Sequence, residues 1–362
     1  MKTVLIIFGT RPDAIKMAPL VLELQKSGKI ETKICVTGQH REMLDQVLNL
    51  FQIVPDYDLA IMKRGQSLNS LFARLVLKLG RLVNHLSPDF TLIHGDTTTA
   101  AAAAVAAYNC AIPIVHVEAG LRSRNIYSPW PEEGNRCLIT SISTQHFAPS
   151  KKAKQNLMEE NVSETSITVT GNTVVDALHH VIRNRSQEKK WFNAEEKLLV
   201  TTHRRENVES GLENIFEALR KIAKKRPNIE IVYPMHLNPA IRSVAYKMLS
   251  DLSNIKLVEP MDYQDFIGIM NECDLILTDS GGVQEEAPSL NKPVIILRDT
   301  TERPELVSMG LGQVIGTNPK EIYTCACDTL DKIAAGQLCL PKENPFGDGN
   351  ACKRIRAWFE EN

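Results

Sequence analysis

Short apolar runs alternate with segments of helical periodicity along almost the whole chain. A continuous run of about four to eight apolar residues indicates a buried strand, and apolar residues spaced three or four apart indicate an amphipathic helix. The first pair is a strand at residues 4–8, followed by a helix that carries Ile15, Leu20 and Leu24. Strands that alternate with helices in this way predict α/β domains built on parallel sheets.

The alternation occurs twice, and a polar run at residues 184–190 separates the two halves. A chain of 362 residues is long enough for two domains that each bury a core. We therefore predict two doubly wound, Rossmann-like domains that face each other across a cleft. The N-terminal domain is expected at residues 1–183 and the C-terminal domain at residues 184–362, with the last helix as a candidate to pack back on the first domain.

Three acids of the first half stand where α/β proteins bind ligands. Asp96 and Glu118 each follow a predicted strand, and Glu132 lies near the start of a later helix. Ligands of open α/β sheets bind at the carboxyl ends of the strands, so we interpret these three acids as functional. The neighbouring Glu133 is interpreted as an ordinary partner of the helix dipole.

Two cations accompany the first strand. Arg11 lies in the loop that follows this strand, and Lys16 lies in the first turns of the helix after it. Their place at a strand end makes them candidates to bind a phosphate or a reacting sugar. The alternative is an ordinary surface loop.

The second half contains a strand, a glycine turn and two carboxylates within residues 275–296, LILTDSGGVQEEAPSLNKPVII. The turn Ser280-Gly281-Gly282 allows backbone N–H groups to approach an anion at a helix N-terminus, as suits a phosphate. Glu285 or Glu286, about one helical turn further on, could accept both hydroxyls of a ribose. The alternative is a helix cap followed by surface acids.

Composition narrows the choice of partners. The 42 basic and 43 acidic residues balance to a net charge of -1, which provides no footprint for nucleic acid or an anionic membrane. The N-terminus reads as a first strand without a signal-peptide pattern, and no apolar run has membrane-spanning length, so we expect a soluble cytoplasmic protein. The eight cysteines lack metal-site spacing, so we expect reduced thiols and no metal.

The common cofactor motifs are missing from the sequence. The first loop, Gly9-Thr10-Arg11-Pro12, is no G-x-G-x-x-G motif, and no Walker lysine pattern occurs. We therefore expect no redox cofactor and no ATP. A diphosphate anchor together with carboxylates and cations suits chemistry on an activated sugar from which the nucleotide departs.

The chain resembles the non-hydrolysing UDP-N-acetylglucosamine 2-epimerases in ten segments, which follow the family's order nearly from end to end. They are GTRPDAIKMAPL, TGQHREMLDQVL, HGDTTTA, HVEAGLRS, SPWPEEGNR, THRREN, YPMHLNP, DSGGVQEEAPSLNKPV, RDTTERPE and NPFGDGNA. The resemblance implies a glycosyltransferase-B-like fold and a homodimer. It also implies reversible conversion of UDP-N-acetylglucosamine to UDP-N-acetylmannosamine through a 2-acetamidoglucal intermediate, as a supply of activated sugar for bacterial surface polysaccharides.

The resemblance also implies roles for particular residues. The implied catalytic-site residues are Asp96, Glu118, Glu132, His203, Arg11 and Lys16. The implied substrate contacts are Ser280, Gly281 and Gly282 for the diphosphate, Glu286 for the ribose, and Arg303 and Phe266 for the uridine. A second UDP-N-acetylglucosamine is implied as an activator at Gln39, Gln66, Arg204 and His236.

Three positions depart from the family pattern. Gly65 stands beside Gln66 where some relatives have an arginine, which argues against strong activation by a second UDP-N-acetylglucosamine. Asp13 replaces the usual glutamate, and Thr202 replaces a common glycine before His203.

Three rival functions stay open at the level of sequence. One is a 2-epimerase for a related UDP-sugar, such as a 3-acetamido or uronic acid form. Another is a glycosyltransferase of the same fold, which would need an acceptor site, and the last is a catalytically silent sensor of nucleotide sugars.

Overall fold

The structure is a computed structural model that describes residues 1–38, 41–63, 65–184, 189–202 and 211–362, with residues 41 and 42 described by their backbone alone. The chain divides into two compact units. Unit 1 comprises Met1–His180 together with Phe346–Asn362, and unit 2 comprises Val181–Pro345.

Unit 1 is built on a seven-stranded parallel sheet in the order β3-β2-β1-β4-β5-β6-β7. Its strands are β1 Lys2–Phe8, β2 Ile30–Val36, β3 Tyr57–Asp58, β4 Phe90–His94, β5 Ile114–Val117, β6 Gln145–Ala148 and β7 Ile167–Val169. The helices between them are α1 Arg11–Leu24, α2 Arg41–Leu50, α3 Leu68–Leu86, α4 Thr98–Asn109, α5 Glu132–Ile142, α6 Lys151–Glu159 and α7 Thr173–Asn184, the last of which continues into unit 2.

The core of unit 1 follows from its apolar runs. Residues 4–8 of the chain, which form most of β1, are almost fully buried, as expected for a central strand covered on both faces. The small alanine side chains of α4 allow this helix to pack closely against α3 and the sheet.

Unit 2 repeats the arrangement with a six-stranded parallel sheet in the order β10-β9-β8-β11-β12-β13. Its strands are β8 Glu196–Thr201, β9 Ile229–Pro234, β10 Ile255–Val258, β11 Leu275–Thr278, β12 Val294–Ile296 and β13 Gly312–Val314. Its described helices are α8 Leu212–Lys225, α9 Pro239–Leu249, α10 Tyr263–Glu272, α11 Gly281–Glu286, α12 Pro304–Ser308 and α13 Pro319–Ala334.

The strand order reverses direction once in each sheet, between β1 and β4 in unit 1 and between β8 and β11 in unit 2. Ligands of doubly wound folds bind at such points, beside the carboxyl ends of the strands. The prediction of two doubly wound α/β domains is confirmed. Of the described helices, none has both the length and the apolar character needed to cross a membrane.

The C-terminal segment belongs to unit 1, where helix α14, Ala351–Glu361, packs against α1. The N–H of Asn172 donates to the carbonyl of Phe346 over 2.6 Å. A Cβ added at Gly171, where φ is +88°, would lie 3.1 Å from the Cα of Gly347, so both chain segments need glycine to approach this closely. Asp176 accepts hydrogen bonds from the first two N–H groups of α14.

Candidate active site

The loop between β1 and α1 places two cations at the switch point of unit 1. A Cβ at Gly9 would lie 2.1 Å from Thr37 Oγ1, so only glycine fits where the chain leaves β1. Thr10 and Asp13 then form a reciprocal capping box, with both hydrogen bonds at 3.3 Å. This cap fixes the start of the helix, which carries Arg11 half-buried and Lys16 buried.

Glu118 follows β5 in a left-handed backbone conformation, with φ at +65°. A residue other than glycine in this region carries about 1–3 kcal/mol of strain, so its surroundings must hold it there. The carboxylate is buried, forms an ion pair with Lys16 and accepts a 2.7 Å hydrogen bond from Nδ2 of Asn172. One carboxylate oxygen, Oε2, is therefore held by Lys16 of α1 and by Asn172 of the turn after β7.

His94, the last residue of β4, lies between two carboxylates. Its Nδ1 is 3.5 Å from Oδ1 of Asp13, and its Nε2 is 3.7 Å from Oε2 of Glu118. Burial would lower the pKa of this imidazole, but Glu118 and Asp13 outweigh burial and raise the pKa to about 9. Burial likewise opposes the charge on Glu118, but Lys16 and His94 hold the pKa of that carboxyl well below its usual range.

Asp96 lies two residues beyond His94 and forms an ion pair with Arg136 of α5. The peptide before it is fixed by His116, whose Nε2–H donates to the carbonyl of Gly95 over 2.8 Å. Burial lowers the pKa of His116 to about 3, so the ring is neutral at pH 7. The Asp96 carbonyl accepts a 2.7 Å hydrogen bond from Nδ2 of Asn135.

The two acids that begin α5 have different surroundings. Glu132 is half-buried, and its Oε2 is shielded from solvent without a hydrogen-bond partner among the described residues. Glu133 is buried, accepts the N–H of Arg124 over 3.0 Å and lies 3.5 Å from Nη1 of Arg136. Glu133 stands in the first helical turn as a dipole partner would, but its contacts also fix the preceding loop and Arg136.

The glycine turn of unit 2 leads from β11 into α11. Ser280 is the N-cap residue, but its side chain makes no capping hydrogen bond. A Cβ at Gly281 would lie 2.6 Å from Nη1 of Arg303, so the guanidinium of Arg303 lies against the turn. Arg303 also donates through Nε to Oε1 of the fully buried Glu285 over 2.8 Å. Glycine at 281 leaves room for the guanidinium in this position, and a larger residue would displace it.

The acids of α11 are buried, so the alternative of surface acids does not describe them. Glu286 accepts a 2.7 Å hydrogen bond from the hydroxyl of Tyr263 on α10, and Phe266 on the same helix is half-buried. Nearby, burial opposes the charge on Glu302, but Arg298 and Arg303 lower the pKa of its carboxyl to about 2.

The remaining predicted residues divide into two groups. Gln39, His203 and Arg204 lie outside the described residues. Gln66 is half-buried in unit 1, and His236 is exposed in unit 2. Within the described ranges, no group of three or more His, Cys, Asp and Glu side chains has a metal-binding arrangement.

Sequence reasoning overlooked three residues around Glu118. The sequence identifies Asp13 only as a departure from the family pattern, and it assigns no role to His94 or Asn172. A signal existed for the last two, because each stands at the end of a predicted strand, as Asp96 and Glu118 do. Thr202, which replaces a common glycine of the family, forms a 2.7 Å hydrogen bond between its hydroxyl and that of Tyr233.

The chain is similar to known proteins over nearly its whole length. A sequence profile described as UDP-N-acetylglucosamine 2-epimerase matches residues 22–360. The chain is 49% identical to the UDP-N-acetylglucosamine 2-epimerase of Salmonella typhimurium, over 97% of this chain and 96% of that protein. It is 48% identical to the Escherichia coli K12 enzyme of the same name, over 99% and 98% of the two chains.

Solved structures agree in fold over the full length. The UDP-GlcNAc 2-epimerase from Neisseria meningitidis, bound to UDP-GlcNAc, has a TM-score of 0.94 at 45% identity and covers 99% of this chain and 100% of its own. The Methanocaldococcus jannaschii enzyme, in complex with UDP-GlcNAc and UDP, has a TM-score of 0.86 at 32% identity, with coverages of 99% and 100%. A glycotransferase of kitacinnamycin, 11% identical with a TM-score of 0.64, shares the fold alone.

Proposed function

The chain belongs to the UDP-N-acetylglucosamine 2-epimerase family, and from that premise we propose a mechanism in which UDP leaves the sugar and returns. The enzyme interconverts UDP-N-acetylglucosamine and UDP-N-acetylmannosamine. The observation that carries the proposal is Glu118, a buried carboxylate kept ionised by Lys16 and His94 in a strained backbone conformation. A carboxylate that stays ionised at neutral pH is in the form that can accept a proton.

Proton removal at C2 needs assistance, because no carbonyl group stabilises the carbanion. In the proposed elimination a carboxylate takes the C2 proton, the C–H electron pair forms the C1–C2 double bond, and the C1–O pair leaves with UDP. This step yields 2-acetamidoglucal. In the reverse sense, UDP oxygen adds to C1 while an acid returns a proton to the other face of C2. Three acids, Asp96, Glu118 and Glu132, are available for the two faces, and their assignment to faces stays open.

The charged groups of unit 1 serve the departure of UDP in this proposal. Arg11 and Lys16 stabilise negative charge that develops on the phosphate oxygens, and His203 completes the catalytic set by its place in the family motif. The ion pair between Asp96 and Arg136 orients that carboxylate.

Unit 2 holds the nucleotide in the same proposal. Backbone N–H groups of Ser280, Gly281 and Gly282 bind the diphosphate, and Glu286 accepts the ribose hydroxyls. The support is that Gly281 leaves room for a buried cation and that Tyr263 orients Glu286. Arg303 and Phe266 are assigned to the uridine side.

Four further properties belong to the proposal and rest on the family alone. A second UDP-N-acetylglucosamine binds at Gln39, Gln66, Arg204 and His236 and activates only weakly, since Gly65 replaces an arginine of some relatives. The enzyme is a homodimer, works in the cytoplasm and supplies activated N-acetylmannosamine for bacterial surface polysaccharides.

Incubation with UDP-N-acetylglucosamine in deuterium oxide tests the mechanism. We expect deuterium at C2 of both epimers and a trace of free UDP and glycal, read by NMR and mass spectrometry. No exchange at C2, with UDP released only after a sugar acceptor is added, would replace epimerisation by glycosyl transfer. Exchange that is faster with a 3-acetamido or uronic acid UDP-sugar would identify that sugar as the substrate.

A further inference from the structure

A buried histidine, His94, lies beside Glu118, the central carboxylate of the mechanism above. His94 is 4% exposed, and neither ring nitrogen makes a hydrogen bond within the described part of the chain. A buried polar atom without a hydrogen bond requires an explanation, since it has lost its hydration. A carboxylate oxygen of Asp13 lies 3.5 Å from Nδ1 of His94, and a carboxylate oxygen of Glu118 lies 3.7 Å from its Nε2.

Asp13 is itself fixed by the fold, so it can orient the ring. Its Oδ2 accepts the N–H of Thr10 and the hydroxyl of Thr97, both at 3.3 Å. Its Oδ1 is thereby directed to Nδ1 of His94. The series Asp13, His94 and Glu118 thus connects the cap of α1 to the residue after β5 through the end of β4.

We propose that His94, held by Asp13, is a positioning residue that fixes the Glu118 carboxylate for proton transfer at C2. This inference rests on the proposed function of Glu118. Glu118 has a left-handed φ and needs contacts that determine its conformation. Lys16 and Asn172 hold one of its oxygens, and His94 contacts that same oxygen from β4.

The charges around His94 decide its protonation. Burial and Lys16 oppose the imidazolium, but Glu118 and Asp13 outweigh them and raise the pKa of His94 to about 9. His116, on the adjacent strand, is neutral at pH 7 because burial lowers its pKa to about 3. His94 is therefore the cationic histidine of this pair at pH 7, and it adds to Lys16 in keeping Glu118 ionised.

Removing the positive charge of His94 should move the pH profile of kcat in a predictable direction. An opposite charge within about 4–6 Å lowers a carboxyl pKa by about 1–3 units, so its loss raises the pKa of Glu118. In His94→Gln the acid limb of the kcat profile should therefore move up by about one pH unit, with kcat reduced by about tenfold or more and KM nearly unchanged. Asp13→Asn should move the acid limb by a smaller amount in the same direction, because it removes one of the charges that favour the imidazolium. Its amide oxygen can still accept the cap hydrogen bond from Thr10, so the start of α1 is retained. Asp13→Glu should keep the wild-type profile.

His146→Gln is the matched control, since His146 is buried on β6 beside Arg122 and burial lowers its pKa to about 4. It should leave the acid limb in place. The test combines the pH profiles with an NMR titration of His94, which should show a pKa above 8 in the wild type and a lower value in Asp13→Asn. A wild-type acid limb in His94→Gln, or a neutral His94 at pH 7, would overturn the inference. Lack of C2 exchange in the wild type would instead overturn the proposed function, while the NMR titration would still decide the state of His94.

Discussion

Replacing Glu118 by glutamine tests the role of the buried carboxylate at constant shape. The change keeps an oxygen that can accept the Asn172 hydrogen bond but removes the charge that pairs with Lys16 and His94. The amide fills the same space and still accepts a hydrogen bond, but it leaves Lys16 without this carboxylate, so urea unfolding of the variant is measured alongside its activity. A positioned general acid or base contributes about 10²–10⁴-fold to a rate, which corresponds to about 2.7–5.5 kcal/mol in the barrier.

Glu118→Gln is therefore expected to lose about 10²–10⁴ in kcat and in C2 exchange, with UDP affinity nearly unchanged. The assay is deuterium incorporation at saturating UDP-N-acetylglucosamine, with UDP binding measured by calorimetry. Glu23→Gln is the matched control, since Glu23 is a buried acid of the same helix as Lys16, roughly 10 Å further along it. Turnover within threefold of the wild type in Glu118→Gln would refute the role assigned to this residue.

Further predictions concern the other acids and the buried ion pair of unit 2. Asp96→Asn should lower C2 exchange by at least about a hundredfold while UDP still binds; weak UDP binding with normal turnover at saturation would contradict its role. Arg303→Met removes the cation that pairs with the fully buried Glu285, so we expect the free energy of unfolding in urea to fall by about 3–5 kcal/mol. Arg220 pairs with Asp251 in a partly exposed position, so Arg220→Met should lower the free energy of unfolding by less than about 1 kcal/mol. Equal losses in the two variants would contradict the idea that burial sets the difference. Glu302 has a pKa of about 2, so it contributes stability above its unfolded pKa of about 4.3 that is lost as pH falls toward 2. Glu302→Gln should flatten this part of the acid-unfolding curve, and an unchanged slope would show that Glu302 carries none of it.

The sequence predicted the parts of the structure that depend on local pattern. Apolar runs of the β1 and β11 type identify buried strands, and parallel strands bring their carboxyl ends to one edge, so Asp96 and Glu118 could be placed together beforehand. The repeated alternation of strands and helices was enough to predict two doubly wound domains.

Other features depend on contacts between distant segments, which local pattern does not encode. The left-handed φ of Glu118 and the position of His94 between two acids arise only when β4, β5 and α1 come together. The close approach of Gly171 and Gly347 joins residues far apart in the chain and includes the C-terminal segment in unit 1. The fully buried Glu285 pairs with Arg303, which a strand and a loop separate from it in sequence.

Departure and return of UDP is the central claim, and positional isotope exchange tests it most directly. UDP-N-acetylglucosamine would carry ¹⁸O in the oxygen that joins C1 to the β-phosphate, and its position would be followed by ³¹P NMR during epimerisation. If UDP leaves, the label scrambles into the non-bridging oxygens of the β-phosphate in step with C2 exchange, and Glu118→Gln slows both. A label that stays in the bridging position while C2 inverts would show that the C1–O bond never breaks and would contradict the mechanism.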